Sequence, residues 1–139
     1  MIIEVMLDEN GVLPNKAHST DAGFDLFSPE NVVVRANSYS VIDTNVCMLI
    51  PDGYVGMIKS KSGLNVKHNL VAEGVVDAGY TGHIVVKMYN HGEYDYKFNK
   101  GDKLTQIVIL PIPDVDLKLV NSFNVATDRG DNGFGSSGK

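Results

Sequence analysis

The residues best suited to chemistry lie in one short segment near the middle of the chain, EGVVDAGYTGHIVV (73–86). Two apolar runs flank Asp77-Ala78-Gly79-Tyr80, so the segment is typical of a strand, a tight turn and a returning strand. The mouth of such a hairpin presents backbone N–H and C=O groups, which can match the donors and acceptors on the edge of a pyrimidine ring. Asp77 could act there as a general base toward a water. An ordinary turn with a solubilising Asp would have the same composition.

Two further segments have the composition of phosphate-binding sites. In PDGYVGMIKSKSGL (51–64), Lys61 and Ser62 precede a short helix predicted over residues 62–70, with Ser62 as its cap, and helix N-termini attract anions. At the chain end, RGDNGFGSSGK (129–139) combines glycines and serines with Arg129, which can fork onto phosphate oxygens, and with Phe134, which suits a nucleobase. A solvated loop and a frayed tail remain the alternatives.

Two strand segments carry a polar residue among apolar neighbours. In DAGFDLFSPE (21–30), Asp25 is either a buried structural partner, a metal or cation contact, or simply a solvent-facing charge. In KGDKLTQIVI (100–109), Gln106 is the one uncharged polar residue expected in the strand interior, where a polar group needs a partner.

Charge and composition narrow the ligand class. The net charge is −5 and the 12 basic residues are scattered, which argues against nucleic acid and anionic membranes and favours a small phosphorylated ligand. The four histidines form no HExxH pattern, and there is neither a Walker A loop nor a GxSxG elbow. The single cysteine, Cys47, is expected to be a buried thiol in a reducing compartment. No targeting signal or long apolar stretch is visible, so the sequence predicts a cytoplasmic protein.

The elements that must position these residues are predicted to be strands. Apolar runs are short and are punctuated by turn residues, which predicts one all-β domain of barrel or sandwich type with a single short helix. YDYKF (94–98) and VDLKLV (115–120) alternate cleanly and are predicted to be half-buried strands. Several strands are apolar on both faces, which indicates self-association with cyclic symmetry.

Taken in chain order, DAGFDLFS, PDGYVGMIKSKSGL, EGVVDAGYTG, GDKLTQIVI and RGDNGFGSSGK resemble the five motifs of the trimeric deoxyuridine triphosphate nucleotidohydrolase (dUTPase) family. The resemblance spans residues 21 to 139. It implies a jelly-roll-like β-barrel or sandwich that forms a homotrimer, with a β-barrel domain over residues 1–128 and a mobile glycine-rich flap over residues 129–139. It also implies hydrolysis of dUTP to dUMP and pyrophosphate, which limits uracil in DNA and supplies dUMP for dTMP synthesis.

The resemblance further implies a role for each matching residue. Asp77 would activate the water that attacks the α-phosphorus, and Tyr80 would pack under the deoxyribose and exclude a 2′-hydroxyl. Mg²⁺ would be held mainly by the triphosphate and by waters, one of which Asp25 would contact. Uracil would be bound by the backbone of Gly74, Val75, Val76, Asp77 and Val85 and stacked by Phe134. The phosphates would be contacted by Lys61, Ser62, Gly63, Arg129, Gly135, Ser136 and Ser137, and Gln106 would add a further polar contact. Three subunits would build each site, one giving the hairpin, a second the phosphate loop and a third the tail.

Two alternatives and one departure accompany the resemblance. A dCTP deaminase has a similar fold and hairpin, but Lys87 stands where those enzymes carry a catalytic glutamate. A non-catalytic protein in which dUTP regulates a protein partner is the other alternative. Lys61 stands where the family more often has arginine, which replaces a planar fork with a mobile point charge.

Overall fold

The computed structural model describes residues 1–135 and 137–138. Within these residues the chain forms β-strands and one short helix. The elements are β1 (Glu4–Leu7), β2 (Gly23–Phe27), β3 (Val32–Val34), β4 (Ser38–Leu49), β5 (Tyr54–Ser60), α1 (Ser62–His68), β6 (Leu70–Val71), β7 (Gly74–Val76), β8 (His83–Asn90), β9 (Tyr96–Phe98) and β10 (Lys103–Pro111). The expected all-β, jelly-roll-like class with one short helix is confirmed.

Two four-stranded antiparallel sheets enclose the core. One has the order β1-β4-β8-β6 and the other β2-β10-β5-β7, while β3 and β9 form a separate pair. Buried residues of both large sheets join one apolar cluster, with Ile42 and Val86 from the first sheet and Leu26, Ile58 and Ile107 from the second. Burial of these side chains between two sheets is the main favourable term in folding.

The sequence of β4 shows why the strands form. Ile42, Thr44, Val46 and Met48 point inward and are buried, while the residues between them are exposed or half-buried. Alternation with period two and β-branched inward residues suit a pleated strand with one buried face. The apolar run that seemed two-sided in sequence therefore has one core face, and Val41 on the other face is 62% exposed.

Helix α1 differs from expectation at its start. Lys61 is the N-cap residue and has no side-chain capping bond, whereas Ser62 is already in the helix, so the predicted Ser62 cap is wrong. The helix ends at Asn69, which adopts the left-handed conformation (φ 56°) and donates its N–H to the Asn65 carbonyl. The left-handed residue turns the chain directly into β6, which begins at Leu70.

Several local predictions need correction. Residues 115–120 form no strand in the described structure, and Leu117 and Leu119 are each 97% exposed. Tyr94 lies outside β9 and is 83% exposed, and Cys47 is half-buried rather than buried. The alternation in residues 115–120 was a valid strand pattern, but no sheet edge within the same chain pairs with it. Among the described residues, no helix is long and apolar enough to cross a membrane.

Candidate active site

The predicted strand, tight turn and returning strand are present, but the two strands do not pair with each other, so the expected β-hairpin is wrong. β7 is the edge strand of one sheet and pairs with β5, whereas β8 belongs to the other sheet and pairs with β4 and, at its far end, β6. The strands diverge from the turn and leave a cavity of about 330 Å³ between them. Its lining comprises Ile58, Gly74, Val75, Val76, Asp77, Tyr80, His83, Ile84 and Val85. The structure thus brings together six of the residues selected from the sequence.

The turn that joins the arms is anchored to the body of the protein. Gly79 adopts a positive φ of 77° and donates its N–H to the Ile50 carbonyl at 3.1 Å, while the Tyr80 N–H donates to the Asp77 carbonyl at 3.3 Å. Glycine is the residue that takes this φ without steric cost. Asp77 is exposed at the lip of the cavity. Its carboxylate is therefore accessible to water and to a ligand in the cleft.

The Tyr80 side chain lines the cleft and packs directly over Gly82. Its hydroxyl donates to the His83 carbonyl at 3.0 Å, and its side chain is 47% exposed. A Cβ added at Gly82 would lie 2.6 Å from Cζ of Tyr80, which is far inside van der Waals contact. The absence of a side chain at Gly82 therefore permits this ring position. Gly82 and His83 lie inside the segment 73–86, but no role was predicted for either, because nothing local in the sequence marks their contact with Tyr80.

Asp25 is a buried partner of two lysines. Its side chain lies in the sheet interior, and the carboxylate accepts hydrogen bonds from Lys61 Nζ and, at 2.8 Å, from Lys103 Nζ. Burial acts to raise the pKa of Asp25, but the hydrogen bonds from Lys103 and Lys61 outweigh it, so the pKa lies below its usual value. Of the three alternatives for Asp25, the solvent-facing one is wrong.

Gln106 lies beside this ion cluster. It is opposite Asp25 in the β10–β2 register, so both side chains share one face of the sheet, and its Nε2 donates to the Ser60 carbonyl at 3.2 Å. Thr105 is a second uncharged polar residue in the strand; it is fully buried and donates its hydroxyl to the Lys59 carbonyl. Gln106 is therefore not the one such residue in the strand.

A cationic pocket of about 340 Å³ lies at the start of α1. It is lined by Lys61, Gly63, Leu64, Lys67, His68 and Lys103. Lys61 and Gly63 were predicted to bind phosphates, and Ser62 is exposed between them. Lys67 and Lys103 were missed, because isolated lysines in a sequence give no sign that folding will bring them to one pocket.

The C-terminal tail is apart from both pockets. Arg129 donates from Nε to the Asn132 carbonyl at 3.1 Å, and Phe134 is fully exposed. Gly135 takes a positive φ of 80° and Ser137 is exposed, while Ser136 lies outside the described residues. Among the described tail residues, none lines the cleft or the cationic pocket. Their predicted contacts with a nucleotide stay predictions.

The fold and the site define the class: a small two-sheet β domain with a cleft between two strand edges, a carboxylate at the rim of that cleft and a separate lysine-lined pocket suited to anions. The dUTPase family model matches residues 9–138, and the chain belongs to this family.

Curated relatives and solved structures agree with this assignment. The deoxyuridine 5'-triphosphate nucleotidohydrolase of Candida albicans is 36% identical, and the match covers 93% of this chain and 82% of that protein. The deoxyuridine 5'-triphosphate nucleotidohydrolase of Clostridium acetobutylicum is 37% identical, and the match covers 95% of this chain and 92% of that protein. The dUTPase of Staphylococcus bacteriophage 80alpha, solved with dUpNHpp, is 36% identical with a TM-score of 0.93 and 99% coverage of both chains. The D95N mutant dUTPase of phage phi11 of S. aureus, described with a structural Mg(II) ion, is 35% identical with a TM-score of 0.83, covering 90% of this chain and all of that one.

Proposed function

We propose that the chain hydrolyses dUTP to dUMP and pyrophosphate, as the names of its relatives describe for those proteins. The observation that carries the proposal is the cleft between the unpaired edges of β7 and β8, with Asp77 at its lip. A protein of the same family and closely similar fold was solved with a dUTP analogue. The proposed role is to limit uracil incorporation into DNA and to supply dUMP for dTMP synthesis, in the cytoplasm.

Uracil recognition in this proposal rests on backbone groups. β7 uses one edge to pair with β5, so the other edge of Gly74–Val76 faces the cleft, and β8 presents its edge near Val85 from the opposite side. Backbone N–H and C=O groups alternate along such an edge and match the acceptor–donor–acceptor pattern of uracil. Specificity for uracil then requires no charged side chain, and the close approach of the two strands to the base would exclude a 5-methyl group.

Asp77 is the proposed general base. Its exposed carboxylate would orient a water, accept its proton and direct its oxygen toward the α-phosphorus in line with the departing pyrophosphate. Tyr80 would lie under the deoxyribose, where its ring excludes a 2′-hydroxyl by steric conflict. Its bond to the His83 carbonyl holds the ring for that purpose.

The triphosphate would occupy the cationic side of the site. Lys61 and the backbone of Ser62 and Gly63 would contact it, and Gln106 would add a polar contact. Because Lys61 donates to Asp25 within the chain, phosphate binding would have to share or replace that bond. Lysine can do this as a mobile point charge where arginine would hold a fixed fork.

The residues fit a magnesium ion that is bound chiefly by the substrate. Within the described residues there is no group of three or more metal-ligating side chains, while Asp25 offers one buried carboxylate beside the proposed phosphate site. Mg²⁺ keeps several waters and commonly binds through substrate phosphates with one or two carboxylates. When bound, it would neutralise charge on the phosphates, and Asp25 would contact it through water.

The exposed arm after β10 supports a homotrimer with shared sites. Val115, Leu117, Leu119 and Phe123 are 64% to 97% exposed, which is unfavourable in an isolated chain. Neighbouring subunits would cover this arm, and cyclic symmetry would repeat the contact three times. The arm could then carry residues 129–139, the C-terminal flap of the same domain whose β-barrel spans residues 1–128, to a neighbour's cleft. There Arg129, Phe134, Gly135, Ser136 and Ser137 would close over the nucleotide, which would offset their ordering entropy.

The deaminase alternative is disfavoured by the position of Lys87. Its Nζ lies 4.1 Å from the ring centroid of Tyr39 and 5.2 Å from that of Tyr89, on an exposed face of β8. A lysine held there by cation–π contacts cannot shuttle protons as a carboxylate would. A regulatory protein partner is a second, compatible role: the phage 80alpha dUTPase is described as controlling transfer of virulence genes.

One assay tests the proposed function and its alternatives. Pyrophosphate release is measured with dUTP, UTP, dTTP and dCTP in the presence of Mg²⁺, together with ammonia release from dCTP. We expect pyrophosphate from dUTP in large excess over the other three and no ammonia above the blank. Ammonia from dCTP would favour the deaminase, and nucleotide binding without any hydrolysis would favour the non-catalytic regulator.

A further inference from the structure

His83 is held between two carboxylates beside the cleft. Its Nε2 lies 2.7 Å from Oδ2 of Asp8, and its Nδ1 lies 3.0 Å from Oδ2 of Asp43. Three separate elements meet at this ring, because Asp8 follows β1, Asp43 lies in β4, and His83 is the first residue of β8. We call these three residues the Asp8–His83–Asp43 clamp.

The clamp requires the imidazolium form of His83. A neutral imidazole has one N–H and can donate to one carboxylate only, which leaves a lone pair of the other nitrogen facing the second carboxylate. The protonated ring donates to both. The hydrogen bonds to Asp43 and Asp8 accordingly raise the pKa of His83 above its ordinary value of 6.5 and outweigh the opposing effect of burial.

An irregularity in β4 builds the clamp. The register between β4 and β8 shifts between Asp43 and Cys47, and Asn45 takes a left-handed φ of 57°. The Asn45 N–H donates to Oδ1 of Asp43 at 2.9 Å, and its carbonyl accepts from the Asp8 N–H at 2.9 Å. Bulges of this kind commonly re-aim side chains near functional sites. Here the bulge positions both carboxylates relative to His83.

The backbone of His83 connects the clamp to the proposed substrate site. The His83 carbonyl accepts the Tyr80 hydroxyl bond at 3.0 Å, and both residues line the cleft. The next residue is fixed as well, because the buried Thr44 hydroxyl donates to the Ile84 carbonyl at 2.7 Å. The clamp therefore restrains the side chain of the same residue whose carbonyl accepts the Tyr80 hydroxyl bond.

We propose that His83 is a positioning residue which, through the Asp8–His83–Asp43 clamp, holds Tyr80 in place and so sets how strictly the site selects a deoxyribonucleotide over a ribonucleotide. The proposal rests on the function proposed above and adds to it a control of sugar selectivity that lies outside the substrate contacts. It assigns His83 no contact with the reacting atoms.

The proposal predicts a particular pH dependence of selectivity. Because the pKa of His83 is raised in the folded protein, the clamp is complete at pH values below about 6.5 and is lost as the pH rises through the raised pKa. The ratio of kcat/KM for dUTP to that for UTP should fall over the same alkaline range. Because dUTP and UTP have the same base and the same triphosphate, effects of pH on Asp77 or on the triphosphate cancel in this ratio. The titratable groups around His83 are Asp8, Asp43, Tyr80, its register partner Cys47, and Asp77 of the same cleft.

The test compares the full-length wild type with His83→Gln, Asp8→Asn and His91→Gln, using pyrophosphate release from dUTP and UTP between pH 6 and 9. In His83→Gln the ratio should drop by at least about tenfold at pH 6.5, since misplacing a positioned group by about 1 Å can cost up to about a hundredfold. It should also become independent of pH. Asp8→Asn removes one carboxylate and should move the midpoint of the pH profile to lower pH. His91→Gln, whose ring stacks on Tyr89, is the matched control and should behave as the wild type.

The outcomes separate this inference from the proposed function. No pyrophosphate from dUTP with the wild-type protein would overturn the proposed function itself. An active wild type with an unchanged ratio and pH profile in His83→Gln would overturn the role of His83 alone. If His83→Gln does not fold, Asp8→Asn decides the question, because Asp8 is 71% exposed and its substitution is mild. An unmoved midpoint in Asp8→Asn would then refute the clamp.

Discussion

Adding one methyl group at Gly82 should weaken sugar selectivity without unfolding the protein. The new Cβ would lie 2.6 Å from Cζ of Tyr80, whereas carbon atoms in ordinary contact are about 3.5 to 4.0 Å apart. The ring must therefore move by about 1 Å. Gly82 is not among the glycines with positive φ, so alanine introduces no backbone strain and the effect is purely steric.

The size of the effect follows from what Tyr80 loses. Moving the ring stretches or breaks the 3.0 Å bond from its hydroxyl to the His83 carbonyl, which is worth about 0.5 to 1.5 kcal/mol. We expect the dUTP-to-UTP ratio of kcat/KM to fall about tenfold, equivalent to about 1.4 kcal/mol. Since the Tyr80 side chain is 47% exposed, little packing is lost, and the free energy of unfolding should fall by no more than about 1.5 kcal/mol, the upper value for that hydrogen bond.

A double-mutant cycle provides the control for this prediction. Pyrophosphate release from both nucleotides is measured for Gly82→Ala, Tyr80→Ala and the double variant. Without the Tyr80 ring there is nothing for the new methyl group to displace, so Gly82→Ala should add little in the Tyr80→Ala background. An equal penalty in both backgrounds, or an unchanged ratio in Gly82→Ala, would refute the steric reasoning.

Three other predictions concern the proposed base, the tail and the assembly. The Asp77→Asn variant should bind a non-hydrolysable dUTP analogue nearly as well as the wild type. It should hydrolyse dUTP at least about a hundredfold more slowly, because a positioned base contributes about two to four orders of magnitude to the rate. Near-normal turnover would remove Asp77 from that role. Deletion of residues 129–139 should leave the far-UV circular dichroism spectrum unchanged and impair hydrolysis, because the described tail contributes no strand; loss of the folded spectrum would contradict the flap. Sedimentation equilibrium should give about three times the 15.1 kDa of one chain, and an active monomer would exclude shared sites.

Local patterns in the sequence were sufficient for most of the fold. Short apolar runs and the turn residues between them predicted the strands, because both signals depend on residues close in the chain. Period-two alternation failed at residues 115–120, where the pattern is present but no strand forms. A strand needs a hydrogen-bonding partner as well as a pattern, and the sequence does not say which edge, or which chain, supplies it.

The candidate site was likewise predictable from the sequence only where its residues lie close together in the chain. Asp77 and Tyr80 were recognisable because they occupy one short segment with turn chemistry, and the order of the five motifs indicated the family. The partners of His83 were not recognisable. Asp8 and Asp43 are 75 and 40 residues away from it in the chain, and isolated aspartates carry no sign of their eventual neighbours.

By itself, the sequence determined the all-β class, the position of the turn with Asp77 and Tyr80, and membership of the dUTPase family. Only the tertiary structure decided that β7 and β8 join different sheets and open a cleft, that Asp25 is paired with two lysines, and that the Tyr80 ring lies over Gly82 with its hydroxyl bonded to the His83 carbonyl. The physical reason is that segment chemistry is local, whereas strand partners, ion pairs and steric clearance depend on distances between residues far apart in the chain.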